Sequence, residues 1–125
     1  MHVLRTTGEH VCTLDGFLTG VDERELVLSE HAVACPARDG LRVATIPGRT
    51  YVTLTDARAT ERPLRAAIAP PFAASLHGNQ VLRWDLRTNT CTGAWRSLSA
   101  LSSVDVRADG TVVTGDIGGT VTLLR

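Results

Sequence analysis

Lysine is absent from this sequence: all 13 basic side chains of the 125-residue chain are arginine. That removes Schiff-base chemistry, the phosphate-binding lysine of a nucleotide loop and a lysine general base in one step. Codon bias is the plainest explanation of the absence. Aromatic residues are scarce at 4%, yet the hydrophobic fraction of 43% is that of an ordinary globular chain, so a folded core is expected. Cysteine is limited to Cys12, Cys35 and Cys91, far apart and odd in number, with no C-x-x-C and no His pair at ligand spacing. Neither a zinc site nor a disulfide framework is readable, and free thiols point to a reducing, intracellular compartment, cytoplasmic or nuclear. No apolar run approaches the roughly 18 residues of a membrane span, and Met1 to His10 lacks the apolar stretch of a signal peptide. Basic and acidic residues balance at 13 each, which leaves no net field to draw in nucleic acid or anionic lipid.

What the sequence does contain is a repeat. Three small-residue segments, Ala32 to Gly40, Phe72 to Asn79 and Thr111 to Gly119, end in the pairs Asp39-Gly40, Gly78-Asn79 and Gly118-Gly119, spaced 39 and 40 positions apart. Such pairs supply the positive φ angles of tight hairpins. A second strand rich in aliphatic residues follows each: Leu41 to Ile46, Gln80 to Leu86, and Thr120 to Leu124. A further turn recurs at Gly8, Gly48 and Asn89, spaced by 40 and 41 residues. Two phases therefore agree on one period. The full unit reads as four strands, with an inner one at Glu25 to Ser29, Leu64 to Ala69 and Ser102 to Arg107. The outer one lies at His10 to Leu14, Tyr51 to Thr55 and Cys91 to Trp95. Helical periodicity is not sustained anywhere, so the fold class is all-β.

A four-stranded unit repeated every forty or so residues is the pattern of propeller blades. The segment Val81-Leu82-Arg83-Trp84-Asp85-Leu86-Arg87-Thr88-Asn89-Thr90-Cys91 resembles the WD-repeat signature, with Trp84-Asp85 in the place of its terminal dipeptide. Ala108-Asp109-Gly110 resembles the inner turn of such repeats. The resemblance to the WD-repeat family implies a partial β-propeller of about three four-stranded antiparallel blades. Residues 1-125 form a single segment: a blade remnant at 1-15, then repeats at about 16-55, 56-95 and 96-125. Only one unit carries the Trp-Asp pair, with Leu124-Arg125 and Ala44-Thr45 in the other two. No unit has the Gly-His pair of the family. The family's buried network through His, Ser or Thr, Asp and Trp is therefore expected to be incomplete. The resemblance gives Trp84 and Asp85 structural roles, Trp84 packing between blades.

Catalytic constellations are weak. His2, His10, His31 and His77 fall at unrelated phases of the repeat and read as surface or turn positions. Ser75 shares a strand face with His77, but no third partner or oxyanion motif accompanies them. Gly115 to Gly119 is followed by a strand and not by a helix, which makes it a hairpin turn and not a phosphate loop. Asp22-Glu23 with Glu25, broken by Arg24, reads as a solvated loop. No cofactor, metal ion or catalytic residue is expected, and a hydrolase-type propeller is the least favoured reading.

The expected function is that of a non-catalytic scaffold or adaptor that binds other proteins. The resemblance implies docking on the rim formed by the first hairpin turns and the inner-strand approaches: Arg38, Asp39, His77, Asn79 and Asp116, with loop residues Arg58, Glu61 and Arg62. Trp95, near the end of an outer strand, is a further contact candidate, since Trp is enriched in binding hot spots. A specialised version is the substrate receptor of a ubiquitin ligase of the F-box/WD type. Three units are few for a ring, so self-association to complete one is also expected. Val33, Val43, Ile68, Leu82, Val104, Val113 and Val121 are the expected core.

Overall fold

The computed structural model describes residues 1–19 and 25–125, and the acidic run Asp22-Glu23 with Arg24 lies outside the described residues. Every regular element described is a β-strand, and all the strand pairings are antiparallel. A short hairpin, β1 (His2–Leu4) and β2 (His10–Thr13), comes first. The first four-stranded sheet follows: β3 (Val27–Leu28), β4 (Ala32–Ala37), β5 (Gly40–Thr45) and β6 (Val52–Leu54). The second holds β7 (Arg65–Ala69), β8 (Phe72–His77), β9 (Gln80–Asp85) and β10 (Thr90–Arg96). β11 (Leu101–Val106), β12 (Val112–Asp116) and β13 (Val121–Leu124) make a three-stranded sheet at the end. In each sheet the strands lie side by side in chain order.

Turn chemistry sets these registers. Between β8 and β9 the turn is Gly78-Asn79, with Gly78 at φ 68°, and the pairing that follows is His77 with Gln80, Ser75 with Leu82 and Ala73 with Trp84. Between β4 and β5 the turn is made by Arg38 and Asp39, one residue earlier than the Asp39-Gly40 pair suggests, and Gly40 opens β5. Gly40 has φ 143°, and a Cβ there would collide with the carbonyl of Leu54, so β6 approaches through the missing side chain. In the last sheet the turn spans 117–119.

The sheets stack face to face in a row, and each interface has its own apolar core. Cys12, Leu14 and Phe17 from the opening hairpin and the segment after it cover Val33, Cys35, Ala44 and Ile46 on one face of the first sheet. Its other face offers Ala34, Leu41, Val43 and Leu54 to Ala66, Ala73, Leu82 and Trp84 of the second. The second sheet's far face presents Ala67, Ala74, Leu76 and Val81 to Val106 and Val112. Period-2 alternation thus sends successive side chains of β4 and β8 into two different cores, which is why neither strand shows a solvent-exposed face. Arg42 is the exception that a middle sheet tolerates. Its guanidinium donates to the Phe17 carbonyl at 2.9 Å and to that of Thr19, and it stacks on Tyr51, pinning the segment that covers the first sheet.

The last sheet has one covered face only. Val121, expected in the core, is 66% exposed, because its register with Gly115 places it on the uncovered face beside Leu123 and Val113. Val33, Val43 and Leu82 are buried, while Ile68, Val104 and Val113 are half-buried. Among the described residues no strand pairing joins the first sheet of the row to the last, and the sheets do not close into a ring.

Stability should follow this division between covered and uncovered faces. Leu82→Ala is expected to cost about 2–5 kcal/mol in urea titration, as buried Leu truncations do, whereas Val121→Thr should change stability by less than about 0.5 kcal/mol. Equal costs would contradict the assignment of faces.

Candidate functional site

The β8–β9 hairpin places Ser75, His77, Leu82 and Trp84 on one face, turned toward the first sheet. There Trp84 Nε1–H donates to Ser75 Oγ at 2.9 Å, and Ser75 Oγ lies 2.7 Å from His77 Nε2. His77 Nδ1 reaches the carbonyl oxygen of Glu61 at 2.7 Å. A carbonyl can only accept, so Nδ1 carries the proton. Nε2 is then an acceptor, and the Ser75 hydroxyl donates to it. The chain runs in one direction from the indole to the loop backbone with every donor matched. The expected network through His, Ser or Thr, Asp and Trp is not reproduced in full: Trp84, Ser75 and His77 are linked, but the chain ends on the Glu61 backbone carbonyl with no Asp in it.

His77 is therefore not a surface residue. It is 3% exposed, and Ser75 is fully buried beside a 1% exposed Trp84. The geometry resembles the base–nucleophile pair of a hydrolase, but the Ser75 oxygen is enclosed and already engaged by two partners. Burial holds the His77 imidazole below its ordinary value of 6.5, with the Glu61 carbonyl and charge opposing in part. The neutral ring is the form the network uses.

Above this network the 55–63 loop and the 38–40 turn enclose a cavity of about 210 Å³. Its floor is Trp84, His77, Leu54, Pro63 and Gly40, all buried. The mouth carries Arg38, Asp39, Glu61 and Arg62, all exposed. Four of the rim residues read from the sequence, Arg38, Asp39, Glu61 and Arg62, thus meet around one opening, and a fifth, His77, lies in its floor. The loop is held from beneath by Gln80, whose amide donates to the Arg58 carbonyl at 2.8 Å and accepts from the Thr60 N–H at 3.2 Å. Glu61 lies over Gly78, where any Cβ would strike its carboxylate.

The remaining candidates do not line this cavity. Arg58 pairs with Asp56 at 2.9 Å, and this arginine, bonding through both side chain and backbone, holds the Asp56 carboxyl below the usual range. Asn79 donates to the Ser97 carbonyl at 3.1 Å and ties the 78–79 turn to the next loop. Trp95 and Asp116 line a separate cavity of about 140 Å³ between the second and last sheets. Trp95 is half-buried there beneath the Arg83 guanidinium, 5.3 Å from its ring centre. Asp85 caps the turn after β9 through a 2.8 Å ion pair to Arg87, whose hydrogen bonds lower the Asp85 pKa. Among the described residues no three or more His, Cys, Asp or Glu side chains gather into a metal cage. Ser75 and Gln80 were the residues missed as members of the site. Their signal was the two-residue period that sets Ser75 beside His77, and the turn that sets Gln80 opposite His77.

The network predicts a signed pH response. Above pH 6.5 both folded and unfolded chains hold a neutral His77, and its contribution is complete. As pH falls below 6.5 the unfolded chain takes up the proton first, so stability declines until the depressed folded value is passed. Urea midpoints should therefore fall between pH 7.5 and 5.5. His77→Gln should be less stable at pH 7.5 and show a flatter dependence over the same range. Ser75→Ala should cost about 1–3 kcal/mol by stranding the indole N–H and the imidazole, and a neutral effect would remove the hydrogen-bond chain from the account.

No protein-family model matches the chain, and no curated protein matches it in sequence. Among solved structures it is similar to the computationally designed Ika4 protein, at 15% identity with a TM-score of 0.53, over 94% of this chain and 98% of that one. The likeness is one of fold, all-β throughout. No described helix is long and apolar enough to cross a membrane.

Proposed function

We propose that the chain is a segment of a WD-like β-propeller that acts as a non-catalytic docking surface for other proteins, with the mouth between the 38–40 turn and the 55–63 loop as the contact. The observation that supports this reading is the convergence of Arg38, Asp39, Glu61 and Arg62 around a floor of Leu54, Pro63 and Trp84. An apolar depression with a mixed-charge rim is the anatomy of a protein contact site. The floor is made of Pro63, sheet residues and the Trp84 network, and the rim is made of loops, where binding residues concentrate on such scaffolds. Engagement of the Ser75 hydroxyl inside the core favours a structural use of the pair over a catalytic one. Three free thiols, two of them buried, fit a reducing intracellular setting.

Self-association to complete a ring belongs to the same reading. β13 is paired on one side only, and Ile117, Val121 and Leu123 leave that end of the row apolar and exposed.

Two measurements test these proposals. A photo-crosslinking side chain at Arg62 should capture a defined protein in cells. Capture should vanish when Ala59→Trp fills the cavity, and a probe at Thr88, at the far end of the sheet, should give none. Equal adducts from both positions would contradict the docking site. In light scattering the purified chain should run at about two chains per particle, and a monodisperse monomer would contradict ring completion.

A further inference from the structure

The opening hairpin carries a feature that neither the cavity nor the cores use. Strict alternation would put His10 and Thr13 on opposite faces of β2, since they are three residues apart. A bulge between the Val3–Cys12 and Leu4–His10 pairs adds one residue, Val11, and brings His10 round to the face of Thr13 and of its cross-strand partner His2. His2 Nδ1 lies 3.0 Å and His10 Nε2 2.8 Å from the same atom, Thr13 Oγ1. The two rings meet edge to face, with centres 5.7 Å apart. Both are exposed on the side of the hairpin turned away from the core.

We propose that His2, His10 and Thr13 form a surface site for one divalent transition-metal ion of the kind that favours imidazole, with zinc as its representative. Two ligands at about 2.0–2.1 Å from a shared zinc ion, subtending about 90–109°, stand about 2.9–3.4 Å apart. The nitrogen-to-oxygen distances of 3.0 and 2.8 Å are close to the edges of such a polyhedron. An ion entering between the rings would replace two hydrogen bonds by two Zn–N bonds, the exposed imidazoles turning from Thr13 Oγ1 toward the ion. The hydroxyl is a weak neutral third ligand, and water completes the shell. Imidazole donors without carboxylate select zinc, nickel or copper over magnesium or calcium. The ion would bridge β1 and β2, fastening the strands that cover the first sheet.

The test uses the untagged full-length chain and zinc chloride alone, in equilibrium dialysis at pH 7.5 and again at pH 5.5. One zinc per chain is expected at pH 7.5, with weaker binding at pH 5.5 because protons compete with a metal for imidazole nitrogen. His2→Ala and His10→Ala should each weaken binding by at least about tenfold, and His31→Ala, a separate exposed imidazole, should leave it unchanged. Backbone amide exchange in β1 and β2 should slow when zinc is added. Binding that survives His10→Ala would assign the ion to His2 and the chain's amino terminus and overturn the site, as would loss on His31→Ala. Circular dichroism of the variants, expected to match the parent, separates loss of the ligand from loss of the hairpin. Absence of saturable binding at millimolar zinc would overturn the proposal outright.

Discussion

The hydrogen-bond chain from Trp84 through Ser75 and His77 to the Glu61 carbonyl is the constraint on which the middle of the molecule depends. An indole and an imidazole cannot be buried at an interface of small apolar side chains unless their polar atoms are matched. The match here spans β9, β8 and the 55–63 loop, so one set of bonds fixes strand register, ring tautomer and loop position together. Removing any member leaves a buried polar atom of its neighbour without its partner, so the members are expected to be energetically coupled.

The rest of the architecture serves the requirement that each sheet be covered. The first and second sheets have neighbours on both faces and bury almost every residue of β4 and β8. Their buried polar side chains are Arg42, Ser75, His77 and Gln80. Variation in surface chemistry is left to the loops at the ends of the strands, and the cavity above Trp84 lies where two such loops converge. The opening hairpin and the last sheet, each covered on one face, carry exposed side chains of very different character: histidines and Thr13 on the first, aliphatic residues on the second.

Much of this was legible because it rests on local rules. The strands follow from turn residues recurring every forty positions, and β7, β8, β9 and β10 fall within a residue or two of the boundaries those turns imply. The rim residues Arg38, Asp39, Glu61 and Arg62 could be grouped from repeat phase alone. What sequence could not supply was the outcome of competition between faces. His77 looked like a turn residue because it stands beside Gly78, but its side chain points with Ser75 into the interface. Val121 looked like core because it is β-branched in a strand, yet its face has no neighbouring sheet among the described residues. The bulge that unites His2 with His10 leaves no mark in the spacing of the histidines, since it depends on how β1 and β2 pair.

The most direct test of the hydrogen-bond chain is the tautomer and titration of His77, read from two-bond proton–nitrogen correlations on the ¹⁵N-labelled protein. The account predicts a neutral ring protonated at Nδ1, assigned by its loss in His77→Gln, that takes up its second proton only below the ordinary imidazole value of 6.5. A ring protonated at Nε2, or one that takes up its second proton at or above that ordinary value, would contradict it.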